Sequence, residues 1–238
     1  MSNKTSYGDS NCGNNCMSSE EYDKRFLSKL IGEAGVALKS KEAEKQELKA
    51  IAYHVSNILK ILGEDTTRNG LKETPMRVAK MYKEIFRSVK KSDASIASDL
   101  LKVFEPDDPK ERYGNLVIVK DIPFYSMCEH HLAPFFGTAS IGYIPSKDTK
   151  VIGISKLARL LEEISKRPQI QERITQSIVD ILNRMLSPNG IMVVVKARHM
   201  CMEMRGVKKP GAQTVTSAVL GAFENDPLLR NEFLQLIK

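Results

Sequence analysis

Tryptophan is absent, and aromatic residues make up only 6% of the chain. That argues against an extended stacking platform of the kind that grips single-stranded nucleic acid. Long apolar runs are also missing. The longest charge-free stretch, His130–Ser146, is broken by Pro134, Gly137, Gly142 and Pro145, so it does not read as a membrane helix. Met1–Ser40 has no basic start followed by an apolar stretch, so no secretory signal is expected and the cytosol is the default compartment. Fourteen Gly and ten Pro in 238 residues exclude collagen-like or broadly low-complexity sequence. Cysteine and histidine are scarce at four each, so where they fall is informative.

What is present suffices for one large domain or two small ones with a sizeable core. The net charge is +7. Residues 1–40 hold Lys4, Lys24, Arg25, Lys29 and Lys39 against Asp9, Glu20, Glu21, Asp23 and Glu33, so the excess lies in 41–238. That part should attract an anion such as nucleic acid, a nucleotide or a phosphorylated metabolite; a solvated basic surface is the equal alternative.

Residues 1–40 read as a largely disordered tail rich in Ser, Asn and Gly, with a short helix somewhere in Glu20–Lys39. Its Cys12 and Cys16 read as exposed thiols. Residues 41–112 read as a helical region. Leu48, Ile51, Val55, Ile58, Leu59 and Leu62 recur at three and four, with Gly63 as the stop. Thr74-Pro75 opens a second helix striped by Val78, Met81, Tyr82 and Ile85. Ser92–Arg112 reads as a charged connection. Residues 113–238 read as an α+β domain: strands at Leu116–Val119 and Phe135–Pro145, helices at Ile154–Lys166 and after Pro168, then strands at Ile191–Met202 and Thr214–Ala222, and a terminal helix at Pro227–Ile237.

His54 reads as a helix-surface residue. The other histidines sit beside cysteines, in Cys128-Glu129-His130-His131 and His199-Met200-Cys201. Two thiolates with imidazole suit Zn²⁺. On a continuous strand, His199, Cys201, Glu203 and Arg205 would share a face. Cys128 and His131 could meet only if the chain turns, because their separation is odd. Four protein ligands would close the site and make it structural; three would leave a place for water. With five candidate ligands at least one is spare, and a spare His can serve as acid or base. Core cysteines with incidental histidines would need no metal at all. No HExxH or HxE…PCxxC pattern is present, and the GVKKPGAQ segment at 206–213 lacks the Lys-Ser/Thr of a phosphate loop.

With these residues in view, the chain resembles GTP cyclohydrolase I over about residues 45–238. The motifs are ETPMRVAKMY at 73–82, SMCEHHLAPFFG at 126–137, IGISKLARL at 152–160, RPQIQERIT at 167–175 and HMCMEMRGVKKPGAQTVTS at 199–217. The resemblance implies the tunnelling fold, an antiparallel four-stranded sheet covered by two helices and preceded by N-terminal helices. It implies a homodecamer, two pentamers face to face, with active sites at subunit interfaces. The implied reaction converts GTP to 7,8-dihydroneopterin triphosphate and formate. The implied zinc ligands are Cys128, His131 and Cys201. His130 is the implied acid at guanine N7, and His199 a second acid–base residue near the ribose. Glu172, with its neighbour Gln171, would receive guanine and Ser155 the ribose, while Lys80, Lys156, Arg159 and Arg205 would hold the triphosphate. Without the resemblance, Lys156 and Arg159 read as surface charge, with an Arg159–Glu163 pair possible at i,i+4. The rival from another class is a non-catalytic structural-zinc module that binds nucleic acid. Against it, the chain has no basic amphipathic helix with interleaved aromatics.

Overall fold

The computed structural model describes residues 41–100, 103–104, 115–146 and 151–238. The expectations for the tail, including its short helix, Cys12 and Cys16, lie outside these residues. The chain divides into a unit ending at Ala50 and a unit Ile51–Lys238. Of the first unit, residues 41–50 are described, as the opening turns of helix α1 (Lys41–Ile61). Gly63 ends that helix as its pattern predicts. It adopts φ +92°, and Glu64 N–H bonds back to the Leu59 carbonyl. Ile58 and Leu62, two members of the apolar stripe, are 58% and 76% exposed. Helix α2 (Thr74–Ile85) carries Pro75 in its first turn, where its missing N–H costs nothing.

A helix the sequence reading lacks, α3 (Asp93–Leu100), occupies part of the expected charged connection. Ser92 Oγ accepts the Ser95 N–H and starts it. Ile96 and Ala97 anchor it in the core. With so few large apolar residues, the segment shows little periodicity, which is why it reads as a linker.

The main sheet has strand order β5-β2-β3-β6-β7. Its long strands are β2 (Val117–Cys128), β3 (Pro134–Ile144), β6 (Gly190–His199) and β7 (Gln213–Gly221), all antiparallel neighbours. They are the expected four. The two-residue β5 (Pro168–Gln169) adds a parallel edge beside Met127 and Cys128. A separate ribbon pairs β1 (Val103–Phe104) with β4 (Val151–Ile152). Strand β2 runs well past the expected end at Val119. A bulge between Val119 and Ile122, with Asp121 at φ +56°, absorbs the charged Lys120-Asp121 pair that interrupts the apolar pattern. Beyond it Ile122, Phe124, Ser126 and Cys128 alternate inward.

Helices α4 (Ile154–Ser165) and α5 (Gln171–Leu186) cover one face. Leu157, Leu160, Leu161 and Ile164 of α4 pack with Ile174, Ile178, Ile181 and Leu182 of α5 over Ile141, Val193 and Val195. Strand β6 is buried on both faces. Its Met192 and Val194 meet Phe223 of α7 (Ala222–Asn225) and Phe233 of α8 (Pro227–Leu236). This explains why IMVVV is a continuous apolar run rather than an alternating one. Among the described residues, no helix is long and apolar enough to cross a membrane.

Two contacts fix the layers. Gly137 of β3 faces Ala197 of β6, and a Cβ there would lie 1.9 Å from the Lys196 carbonyl oxygen. On the helical side, Glu163 receives Arg87 Nη2 at 2.7 Å, Ser88 Oγ at 2.7 Å and Lys91 Nζ at 3.1 Å. It therefore makes this cluster rather than an i,i+4 pair with Arg159. Burial alone would raise its pKa, but these donors outweigh burial and bring it down from 4.5 to about 2.

Gly137→Ala should cost about 3 kcal/mol or more, the upper end for overpacking, read as a shifted denaturant midpoint. Glu163→Gln should melt below the parent at neutral pH. Because the carboxyl pKa is depressed, its stabilisation is complete above the unfolded value of about 4.5 and disappears as pH falls toward 2. The difference in Tm between the two proteins should therefore close over that window. Acid loss of any metal is common to both and cancels.

Candidate active site

The turn that the odd Cys128–His131 spacing requires lies between β2 and β3. Cys128 N–H donates to Ala133 O at 2.9 Å, and Leu132 N–H returns to Cys128 O at 2.8 Å. Leu132 adopts φ +48°, a left-handed conformation that costs a branched residue about 1 kcal/mol. The chain thus curls over Cys128 and carries His131 back above it, with His131 Nδ1 3.9 Å from Cys128 Sγ.

The second segment departs from expectation. Strand β6 ends at His199, and Met200–Glu203 form a helical turn, α6. The expected single face of His199, Cys201, Glu203 and Arg205 is not formed. Glu203 instead folds back to accept a bidentate pair from Arg198, Nε at 2.8 Å and Nη2 at 2.6 Å. That turn places Cys201 against the first segment. Strands β3 and β6 pair Phe135 with His199, and each leads directly to one cysteine segment.

Cys128, His131 and Cys201 converge, with one ligand atom from each lying within 4.8 Å of the others. Tetrahedral coordination by sulfur and nitrogen needs edges of roughly 3.5–3.8 Å, so the donor set and spacing fit a borderline-soft divalent cation. Burial, and then the neighbouring Cys128, push the Cys201 thiol up. A cation held there must displace those protons. His130 stands outside the converged group. It is exposed, with Nδ1 3.9 Å from Cys128 Sγ and Nε2 3.9 Å from Glu129 Oε1.

Helix α5 supplies the adjoining wall. Gln171 is buried at its start, and Oε1 of its side chain lies 2.8 Å from His199 Nε2. The His199 ring stacks on Phe135, centroids 4.6 Å apart and planes 4° from parallel. Burial lowers the His199 pKa, and the nearby Glu172 carboxylate partly offsets this. Glu172 itself is exposed on the first turn. Beside it, Arg173 grips Glu129 through Nη1–Oε2 at 2.5 Å and Nη2–Oε1 at 3.2 Å, tying the metal-loop turn to α5. No sequence signal distinguished this pair, or Arg198–Glu203, from surface charge.

The basic residues are more dispersed. Arg205 reaches the cluster, Nη1 lying 3.2 Å from His131 Nε2. Ser155 and Arg159 are exposed and Lys156 half-buried on α4, and Lys80 is exposed on α2. None of these four is bonded to the converged group.

An α+β domain that gathers two thiols and an imidazole at its strand ends, beside a further imidazole and a carboxylate, has the build of a metal-assisted hydrolase. Comparison with known proteins narrows the class. The family profile of GTP cyclohydrolase I matches residues 51–238. Over 202 residues the chain is 52% identical to a GTP cyclohydrolase 1 of Halalkalibacterium halodurans, covering 82% of this chain and 98% of that protein. It is 55% identical over 188 residues to one of Geobacillus kaustophilus, covering 79% and 95%, and 51% identical over 195 residues to one of Listeria monocytogenes, covering 82% and 98%. A solved archaeosine synthase QueF-Like in the apo form aligns over 48% of this chain and 98% of its own at 19% identity, with a TM-score of 0.37, too weak a likeness to argue from. This chain belongs to the GTP cyclohydrolase I family.

Cys201→Ser should abolish tight metal binding, seen as loss of the bound ion in elemental analysis of purified protein. The core over the sheet is mostly aliphatic side chains of α4, α5 and β6, with Cys128 the one donor buried in it and Cys201 packed at its edge, so the metal-free protein should keep its far-UV circular dichroism and a cooperative melt. Unfolding on chelation would instead mark a structural metal.

Proposed function

We propose that this chain converts GTP to 7,8-dihydroneopterin triphosphate and formate at a zinc site formed by Cys128, His131 and Cys201. The observation that carries the proposal is the convergence of those three donors beside His199, Gln171 and the first turn of α5. When bound, zinc supplies Lewis acidity that makes water a nucleophile near neutral pH. Two thiolates neutralise much of the ion's charge, so the purine must be activated as well.

That activation falls to His130, which stands next to the metal group but outside it. Its exposed ring donates a proton to guanine N7 and makes C8 electrophilic. The imidazole ring of guanine opens, and a second hydrolysis releases formate. His199 moves a proton on the ribose as the sugar rearranges and the new ring closes. The Glu172 carboxylate, facing solvent, accepts the guanine N1–H and amino hydrogens. Ser155 contacts the ribose. Arg205, Lys156, Arg159 and Lys80 neutralise the triphosphate, consistent with the basic excess of residues 41–238.

Residues 113–238 form the catalytic domain, and residues 41–112 are a helical region that contributes Lys80. The chain works in the cytoplasm as a homodecamer whose subunits complete one another's sites. Support for assembly comes from the apolar side chains left exposed on α1 and α2, among them Ile58 at 58%, Ile61 at 85% and Met81 at 45%. Assembly would also bring further cations to a site that, of the four basic residues named here, Arg205 alone contacts within one chain.

Incubation with GTP, followed by oxidation and fluorescence detection of a pterin, tests the activity. Two variants separate the adjacent histidines. His131→Ser should lose both zinc and turnover. His130→Ser should keep zinc and bind GTP while turnover falls about 10²–10⁴-fold, the usual cost of a lost general acid. Loss of metal from His130→Ser with retention by His131→Ser would reverse the two roles.

A further inference from the structure

The buried amide of Gln171 has one orientation open to it. The residue is 1% exposed, so bulk solvent does not reach its side chain. Its Nε2 lies 3.0 Å from the Val195 carbonyl oxygen, 3.0 Å from that of Thr214 and 3.2 Å from Thr216 Oγ1. Carbonyl oxygens only accept, so the end facing them must carry the hydrogens. Turned over, the amide would set Oε1 against two carbonyl oxygens with no proton between them.

The neighbouring hydroxyls agree. Thr175 Oγ1 donates to the Gln171 main-chain carbonyl at 2.9 Å. In the 2.6 Å contact between the two hydroxyls, Thr216 must then be the donor, which leaves its oxygen as an acceptor toward Gln171 Nε2. Gln171 Oε1 is thereby an acceptor toward His199, so His199 Nε2, at 2.8 Å, must bear a hydrogen. In a neutral imidazole the lone pair then falls on Nδ1. Stacking on Phe135 fixes the plane of the ring as well.

We propose that Gln171 is a positioning residue acting through His199: its side-chain amide holds the imidazole ring in place as the Nε2–H tautomer, leaving the lone pair on Nδ1, and does not itself contact GTP. This replaces the substrate contact that the family resemblance suggests for Gln171. It rests on the reading of His199 as the ribose-side acid–base residue. The network reaches from β6 and β7 through α5, so the tautomer is imposed by the packing of the helix on the sheet.

The test uses the zinc-loaded full-length enzyme and has two arms. In the first, ¹⁵N solid-state spectra of histidine-labelled protein should show one ring with protonated Nε2 and unprotonated Nδ1 that vanishes in His199→Asn. The opposite tautomer at His199 overturns the proposal, and this arm needs no change at Gln171. In the second, Gln171→Leu should keep its zinc and hold KM for GTP within about twofold while kcat falls about 10²-fold or more, as for a misplaced acid–base group. In a His199→Ala background the same change should cost less than about twofold further, because partners acting as one unit are not additive. A roughly tenfold rise in KM with kcat intact, or a fully additive loss, would make Gln171 a substrate contact after all. Full turnover in His199→Ala alone would instead sink the reading of His199, and the catalytic half of this inference with it.

Discussion

The register of β3 on β6 governs where chemistry can occur in this chain. Phe135 lies opposite His199, so the turn that follows β2 and the turn that follows β6 emerge at the same end of the sheet. Each turn carries a cysteine, and the two thiols meet there. A one-residue slip would invert every inward side chain of β6, burying Lys196 where Val195 now packs. The close approach of Gly137 to the Lys196 carbonyl, which no side chain could share, belongs to this same pairing.

Around that register, polar contacts hold the helices where the site needs them. The Glu163 cluster joins Arg87, Ser88 and Lys91 to the end of α4. The Glu129–Arg173 pair joins the metal-loop turn to α5. Both link segments far apart in sequence, and both are multidentate, which is the geometry in which ion pairs resist solvent screening best. Between them, α5 presents three adjacent residues to three different tasks: Gln171 inward to His199, Glu172 outward to solvent, and Arg173 sideways to Glu129. A helix start does this because successive residues there point about a hundred degrees apart.

Much of the fold is legible from periodicity alone. The stripes of α1, α2, α4 and α5, the stop at Gly63 and the existence of β6 as a strand all follow from spacings within a few residues. The misses are local conflicts. Helix α3 has too few large apolar residues to show a period. Strand β2 reads as stopping before Lys120-Asp121 because a bulge hides its continuation. Strand β6 reads as running on to Met202 because His199-Met200-Cys201 alternates as a strand does, whereas the chain there turns helical and Glu203 folds back on Arg198.

The sequence alone carried the scarcity and clustering of Cys and His, a donor set suited to a borderline-soft metal, and the ordered motifs that identify the family. Those are properties of composition and of short spacing. Tertiary structure alone decided which donors converge, because Cys128 and Cys201 are brought together by strand register and not by any local pattern. It also decided that His131 and not His130 joins both thiols: Nδ1 of each ring lies 3.9 Å from Cys128 Sγ, but His131 alone converges with Cys201 as well. And it decided the hydrogen on His199, because the orientation of the Gln171 amide is dictated by carbonyl oxygens on two strands that no helix-local spacing reveals.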